Sequence, residues 1–259
     1  MAQKTKMNWL FLRGLTREMG HWGNAFEVFE QANPGMKVHG LDYPGIGTER
    51  ERQSPVTVHG IMQDLRSRFQ ILKQHHPDRW GILAISLGGM VTMEWIHHYP
   101  EDFGHAVIIN SSARNVATPF QRFNPATLAT YIQKVNEFRS GEVERTVLNS
   151  VCNLSVTEEL VAEWRDIAIL RPLKKRTMIT QIMAGAQYEA PPHVTVPTLI
   201  IGCPKDRLVS VKCSEGLAKR LNVPIIYHPE AGHDLSTDDA QWMAEKVGAW
   251  VTTGEVPHV

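Results

Sequence analysis

The chain alternates short, mostly apolar runs with longer stretches in which apolar residues return every three or four positions. The short runs, Asn8 to Leu12, Lys37 to Leu41, Gly81 to Ile85 and Ala106 to Asn110, have the length of strands. Between the second and third, Val58, Ile61, Met62, Leu65, Phe69 and Leu72 mark the apolar face of a helix. His75-His76-Pro77 ends that helix and His97-His98-Tyr99-Pro100 ends the next, because proline cannot continue either one. Strands separated by helices predict crossover connections and a parallel sheet.

From about Asn115 to Pro192 the strand-like runs stop. Helix signals replace them, with Asn124-Pro125 reading as a cap followed by proline and Ser155-Val156-Thr157-Glu158 as a capping box. Strands resume at Thr198 to Ile201 and Ile225 to Tyr227, and Ala240 to Val251 predicts a final amphipathic helix. The expected class is α/β, a mostly parallel sheet of about six strands flanked by helices. Residues 1–114 and 193–259 would form its two parts, with residues 115–192 inserted as a helical cap.

Composition narrows the function. The 27 basic residues balance 27 acidic ones, so there is no electrostatic footprint for nucleic acid. The longest apolar runs, such as Trp9 to Leu12, fall far short of the ~18 residues of a membrane helix. Met1 to Arg13 lacks the pattern of a secretory signal, and a cytoplasmic setting is expected. Cys152, Cys203 and Cys213 match no zinc or redox spacing and read as reduced, buried thiols.

One constellation carries chemistry. Gly81 to Ile85 runs into Ser86-Leu87-Gly88-Gly89 and then a helical Met90 to Ile96, giving a strand, a sharp turn and a helix. Such a turn pushes its serine out of the fold and needs small neighbours two positions away, here Ala84 and Gly88. A serine hydroxyl is a weak nucleophile until a base takes its proton, so a histidine held by a carboxylate is expected elsewhere. Asp206 and His233 each follow a predicted strand, in loops able to reach the sheet's carboxyl edge. Asp234 is the competing carboxylate, but neighbours in an extended loop point apart, so Asp234→Asn is expected to matter much less than Asp206→Asn.

These residues resemble the α/β-hydrolase superfamily, in particular its capped, esterase-like branch, which includes carboxylesterases and pimeloyl-acyl-carrier methyl ester esterases. Phe11-Leu12-Arg13-Gly14-Leu15 resembles the oxyanion strand, Trp22 a tryptophan often found after it, Leu41 to Gly47 the Asp-x-x-Gly-x-Gly turn, and Ala84 to Gly89 the nucleophile elbow. The resemblance implies Ser86, Asp206 and His233 as a triad, with the backbone N–H groups of Leu15 and Leu87 as oxyanion donors. It implies hydrolysis of small carboxylic esters through an acyl-enzyme. Acyl-thioester and acyl-carrier methyl-ester hydrolases, carbon–carbon bond hydrolases and non-catalytic ligand receptors share the arrangement and stand as alternatives.

Arg13 occupies a position where the superfamily usually has histidine. Its side chain either turns beneath the oxyanion loop, where its donors need a carboxylate or carbonyls, or points to solvent. In the cap, Phe120, Phe123, Trp164 and Met183, with Leu128 and Tyr131, are candidates to line an apolar substrate pocket. Lys174-Lys175-Arg176 suggests a docking patch for an acyl-carrier protein or acyl-CoA, although a solvated helix face is the preferred reading. The paired histidines close helices, where positive charge suits the dipole, and this is preferred over metal binding. No metal and no cofactor are implied, and the expected partner is a small-molecule ester.

Overall fold

The computed structural model describes residues 6–127, 129, 143–154 and 156–257. Six strands form one parallel sheet: β1 (Met7–Leu12), β2 (Met36–Gly40), β3 (Arg79–Ile85), β4 (His105–Ile109), β5 (Thr198–Gly202) and β6 (Ile225–Tyr227), in the order β2-β1-β3-β4-β5-β6. The periodicity of two is visible in the packing. Leu10, Leu12, Ile82, Ala84, Ile108 and Ile200 face one layer, while Trp9, Phe11, Leu83, Ile85, Ile109 and Ile201 face the other. With both faces buried, each strand must be apolar at consecutive positions.

The first layer contains α2 (Val58–His75), which buries Val58, Ile61, Met62, Leu65 and Phe69, and α3 (Leu87–His98). The opposite layer contains α1 (Ala25–Ala32) and the final helix, α10 (Ala240–Thr253). Thr57 caps α2, its hydroxyl accepting from the Gly60 N–H at 3.1 Å.

Between β4 and β5 the described chain is helical, with α4 (Pro119–Arg122), α5 (Glu144–Val151), α6 (Glu158–Leu170) and α7 (Lys175–Gln187). Asn124 accepts from the Ala126 N–H at 2.9 Å, as a cap before Pro125 should. The second expected cap is corrected. Thr157 is the N-cap of α6, accepting from Leu160 N–H at 3.2 Å, and Ser155 lies outside the described residues. After β5 come α8 (Val211–Leu221) and the single turn α9 (Leu235–Asp238).

The strand order sets where a site can form. From β1 the chain crosses to β2 on one side and then back to β3 on the other, so the connections part at the carboxyl ends of β1 and β3. Such a switch point leaves a crevice there. Among the described residues no helix is long and apolar enough to cross a membrane. The three cysteines are free and buried.

Candidate active site

Ser86 sits at the carboxyl end of β3 with φ 57° and ψ −116°. A non-glycine residue in this region is strained, and the strain persists only where the surroundings enforce it. Here they do: Ser86 N–H donates to Ile109 O at 2.9 Å, and Ser86 O accepts from the Ser111 hydroxyl at 2.7 Å. The required smallness at position 88 is explicit. A Cβ there would lie 2.6 Å from Leu12 O and 2.7 Å from Arg13 O, so only glycine lets α3 start against β1. Leu87 is the first residue of α3, and its N–H is one of the donors that a helix start leaves without an intrahelical acceptor. Gly14, just before Leu15, faces the same serine, a Cβ on it lying 3.2 Å from Ser86 Cβ.

Asp206 and His233 meet as expected. His233 Nδ1 lies 2.7 Å from Asp206 Oδ2, and both side chains are buried. The other carboxylate oxygen accepts from Leu208 N–H at 2.7 Å and Val209 N–H at 2.9 Å. A carboxylate only accepts, so Nδ1 donates to it, and in the neutral form of the ring Nε2 is the acceptor.

The sequence reading missed the residue that joins these loops. Asn110, which follows β4 at φ 46°, donates through Nδ2 to His233 O at 2.9 Å and to Gly232 O at 3.2 Å. Its Oδ1 accepts from Cys203 N–H at 2.9 Å, three residues before Asp206. One amide therefore fixes the backbones of both the histidine loop and the acid loop. A polar residue ending an apolar strand was the available signal.

Arg13 does not point to solvent. It is buried, and Nη1 donates to Asp234 Oδ1 at 3.2 Å and to the Ser236 hydroxyl at 3.0 Å, while Nη2 pairs with Asp234 Oδ2. Its guanidinium lies 4.8 Å from the centre of the Trp22 ring, which gives that tryptophan a role. Burial by itself would raise the Asp234 carboxyl, but Arg13 and the Ser236 hydroxyl outweigh it and hold the carboxyl below its ordinary range. Asp234 is thus held in a buried ion pair with Arg13, so its substitution bears on stability, apart from the smaller effect on turnover expected of it relative to Asp206.

Ion pairs and hydrogen bonds join the helical segment to the core beside this loop. Thr16, at φ 63°, donates its N–H to Gln181 Oε1 on α7 at 2.8 Å. Arg17 pairs with Glu144 on α5 at 2.7 Å, and Arg171 Nε donates to Glu18 at 2.8 Å. These charges border a cleft of about 440 Å³, its open mouth included. Gln181 is fully buried, and its Nε2 has no partner among the described residues.

The expected apolar pocket residues are not brought together. Trp164 is buried in the seam, its ring 4.7 Å from both the Arg17 guanidinium and the His21 ring, and it is not among the described residues bordering the cleft. Phe120 is 77% exposed, beside a second cleft bordered by Asp206, and Met183 is 45% exposed. Phe123 packs on a cluster around Val147 and Leu208. Leu128 and Tyr131 lie outside the described residues. Lys174 pairs with Glu51 at 2.7 Å.

The sequence matches the family described as "Serine aminopeptidase, S33" over residues 3–240. The chain belongs to this family of α/β hydrolases. No curated protein matches it. Among solved structures, this hydrolase is similar to a lipase-esterase related protein from Clostridium acetobutylicum ATCC 824, with 16% identity and a TM-score of 0.69, covering 95% of each chain. A hydrolase from Pseudomonas aeruginosa PA01 has 17% identity and a TM-score of 0.73, covering 96% of this chain and 91% of the other. A thermophilic esterase from Thermogutta terrifontis has 16% identity and a TM-score of 0.71, covering 96% and 90%. At these identities the likeness is one of fold.

Two predictions follow from the charges in this hydrolase. Arg13→Ala and Asp234→Asn each leave a buried charge alone and should lower unfolding free energy by about 3–5 kcal/mol, whereas Arg13→Met with Asp234→Leu should recover most of it. Denaturant titration of the four proteins checks this, and additive losses would contradict it. The second concerns His21, whose pKa burial, Arg17 and Arg13 hold well below 6.5. The unfolded chain therefore binds more protons below that value, so the contribution is complete above pH 6.5 and lost as pH falls toward the folded pKa. His39 and His105 are shifted the same way. Between about pH 7.5 and about pH 5.5, roughly one unit either side of the free imidazole, the denaturation midpoint should fall in the wild type and fall less in His21→Gln. Equal falls would contradict it.

Proposed function

We propose that the protein is a serine hydrolase that cleaves small carboxylic esters through an acyl-enzyme. The observation that carries the reading is the strained Ser86 turn, with Gly14 against it and a His233 held by Asp206 in the same sheet edge. Ser86 Oγ attacks the ester carbonyl while His233 Nε2 takes its proton. The Leu15 and Leu87 amides receive the developing oxyanion, and His233 returns the proton to the leaving alcohol. Water then attacks the acyl-enzyme and His233 serves again as base, releasing the acid and restoring Ser86.

In this reading residues 115–192 act as a cap over the site. Gln181 acts on the site from behind it: fully buried, it steadies through Oε1 the loop that carries Leu15. Phe120 and Phe123 are retained as substrate contacts at the Asp206 side, and Met183 at the cap surface. Trp164 acts through the seam that it packs. The three unpaired, buried cysteines support a reducing, cytoplasmic setting. A small-molecule ester is kept as the partner in preference to an acyl-carrier protein or acyl-CoA.

A panel of aryl esters, acyl thioesters and aminoacyl anilides tests the reaction class, since the family's description names a peptidase. Ester turnover should exceed the other two, and preferred cleavage of the anilides would replace the reading with an aminopeptidase. Ser86→Ala should lower kcat by about 10⁵- to 10⁶-fold and Asp206→Asn by about 10⁴-fold, both with unfolding midpoints near wild type. Near-wild-type turnover in either folded variant would remove that residue from the mechanism.

A separate prediction concerns Gln181→Met, which keeps side-chain length but removes the acceptor and the donor. It should lower kcat/KM by about tenfold to a hundredfold, the worth of one unsatisfied buried polar group. Unchanged kcat/KM would show that Gln181 serves packing alone.

A further inference from the structure

Away from the Ser86 site, three side chains with metal-ligating atoms converge where α2 meets α3. Glu94 and His98 stand four residues apart on α3 and so share one face of it. His59, the second residue of α2, meets them from the neighbouring helix. His59 Nδ1 lies 2.8 Å from Glu94 Oε1, and His98 Nε2 lies 3.1 Å from the same oxygen. All three atoms are within 4.8 Å of one another. The carboxylate only accepts, so each ring turns an N–H toward it.

We propose that His59, Glu94 and His98 form a surface site for Zn²⁺ or a similar transition-metal ion, clasping the start of α2 to the end of α3. Two imidazole nitrogens and one carboxylate oxygen are a donor set that such ions take from proteins, with bonds of about 2.0–2.2 Å. Ligand atoms around a tetrahedral ion at that range stand roughly 3.4 Å apart, so the observed cluster opens only slightly to admit one. No net proton loss is needed from neutral rings. The His59 proton moves from Nδ1 to Nε2 and the His98 proton from Nε2 to Nδ1, leaving the facing lone pairs for the metal.

An outer partner is already in place. Gln63 Nε2 lies 3.3 Å from His59 Nε2 and donates to the Tyr99 hydroxyl at 3.0 Å. Turning this amide over presents Oε1 to the new His59 Nε2–H and to the Tyr99 O–H, the kind of support that metal-bound histidines have. The side chains of His59 and His98 are about half exposed, at 50% and 43%, so water completes the coordination. From Ser86 to these residues the axis of α3 runs about 12–18 Å, and the ion acts on the helix and not on the ester.

The test uses the full-length chain, stripped with a chelator and titrated with Zn²⁺ by calorimetry at neutral pH, alongside thermal unfolding with and without the metal. One Zn²⁺ should bind per wild-type chain. His59→Ala, His98→Ala and Glu94→Gln should each weaken that binding by about tenfold or more, since each removes a ligand. Zn²⁺ should raise the Tm of the wild type and leave those of the three variants unchanged. His97→Ala and His193→Ala, which alter neighbouring histidines, should bind as the wild type does. No saturable binding by the wild type, or binding that survives all three ligand substitutions, would overturn the proposal. His59 and His98 are exposed and Glu94 is partly covered, and circular dichroism checks the folding of each variant.

Discussion

The buried pair between Arg13 and Asp234 is the constraint on which the proposed site depends. These residues are separated by 221 positions, yet they join the end of β1, which carries Gly14 and Leu15, to the loop that carries His233. Two isolated charges would be costly to bury there. Paired bidentately, with Ser236 as a further acceptor and Trp22 against the guanidinium, they become a fixed strut. A histidine at position 13 would lack the reach and the fork geometry to hold that carboxylate in the same way.

Around this strut the sheet edge is assembled from backbone hydrogen bonds. Asn110 fixes the acid and histidine loops, and the Ser86 backbone is held by Ile109 and Ser111. The helical segment is tied on through polar contacts, Thr16 to Gln181, Arg17 to Glu144 and Glu18 to Arg171. These directed contacts accompany an apolar seam in which Val147, Leu148 and Trp164 cluster with Leu208, Val209 and Cys213, and they fix its register. The cleft beside the Thr16 loop is bordered by Arg17, Glu18, Glu144 and Arg171 together with the aliphatic Ile46, Ile167 and Leu173, and not by Phe120, Phe123 or Trp164.

Much of the fold was legible in the amino-acid pattern because it is local. All six strand-length runs became strands, with no end shifted by more than two residues, and the apolar face of α2 is the one that the spacing picked out. The turn at Ser86 and the approach of Asp206 to His233 were legible because small residues and strand-following loops leave a mark in the sequence. What was not legible depends on pairs distant in the chain. Nothing near Arg13 names Asp234, nothing near Thr16 names Gln181, and Glu94 gains its meaning only when α2 brings His59 alongside. Trp164 failed as a pocket residue for a related reason: an apolar aromatic in a helix reads the same whether it lines a cavity or packs a seam.

The most direct measurement is reaction of the intact chain with a fluorophosphonate, followed by peptide mass spectrometry and assay of the remaining ester hydrolysis. A serine activated by His233 attacks phosphorus and displaces fluoride, leaving a stable adduct on its oxygen. The account predicts one adduct per chain, on Ser86, with hydrolysis lost in proportion to labelling. An adduct on a different serine, or hydrolysis that survives complete labelling of Ser86, would contradict it.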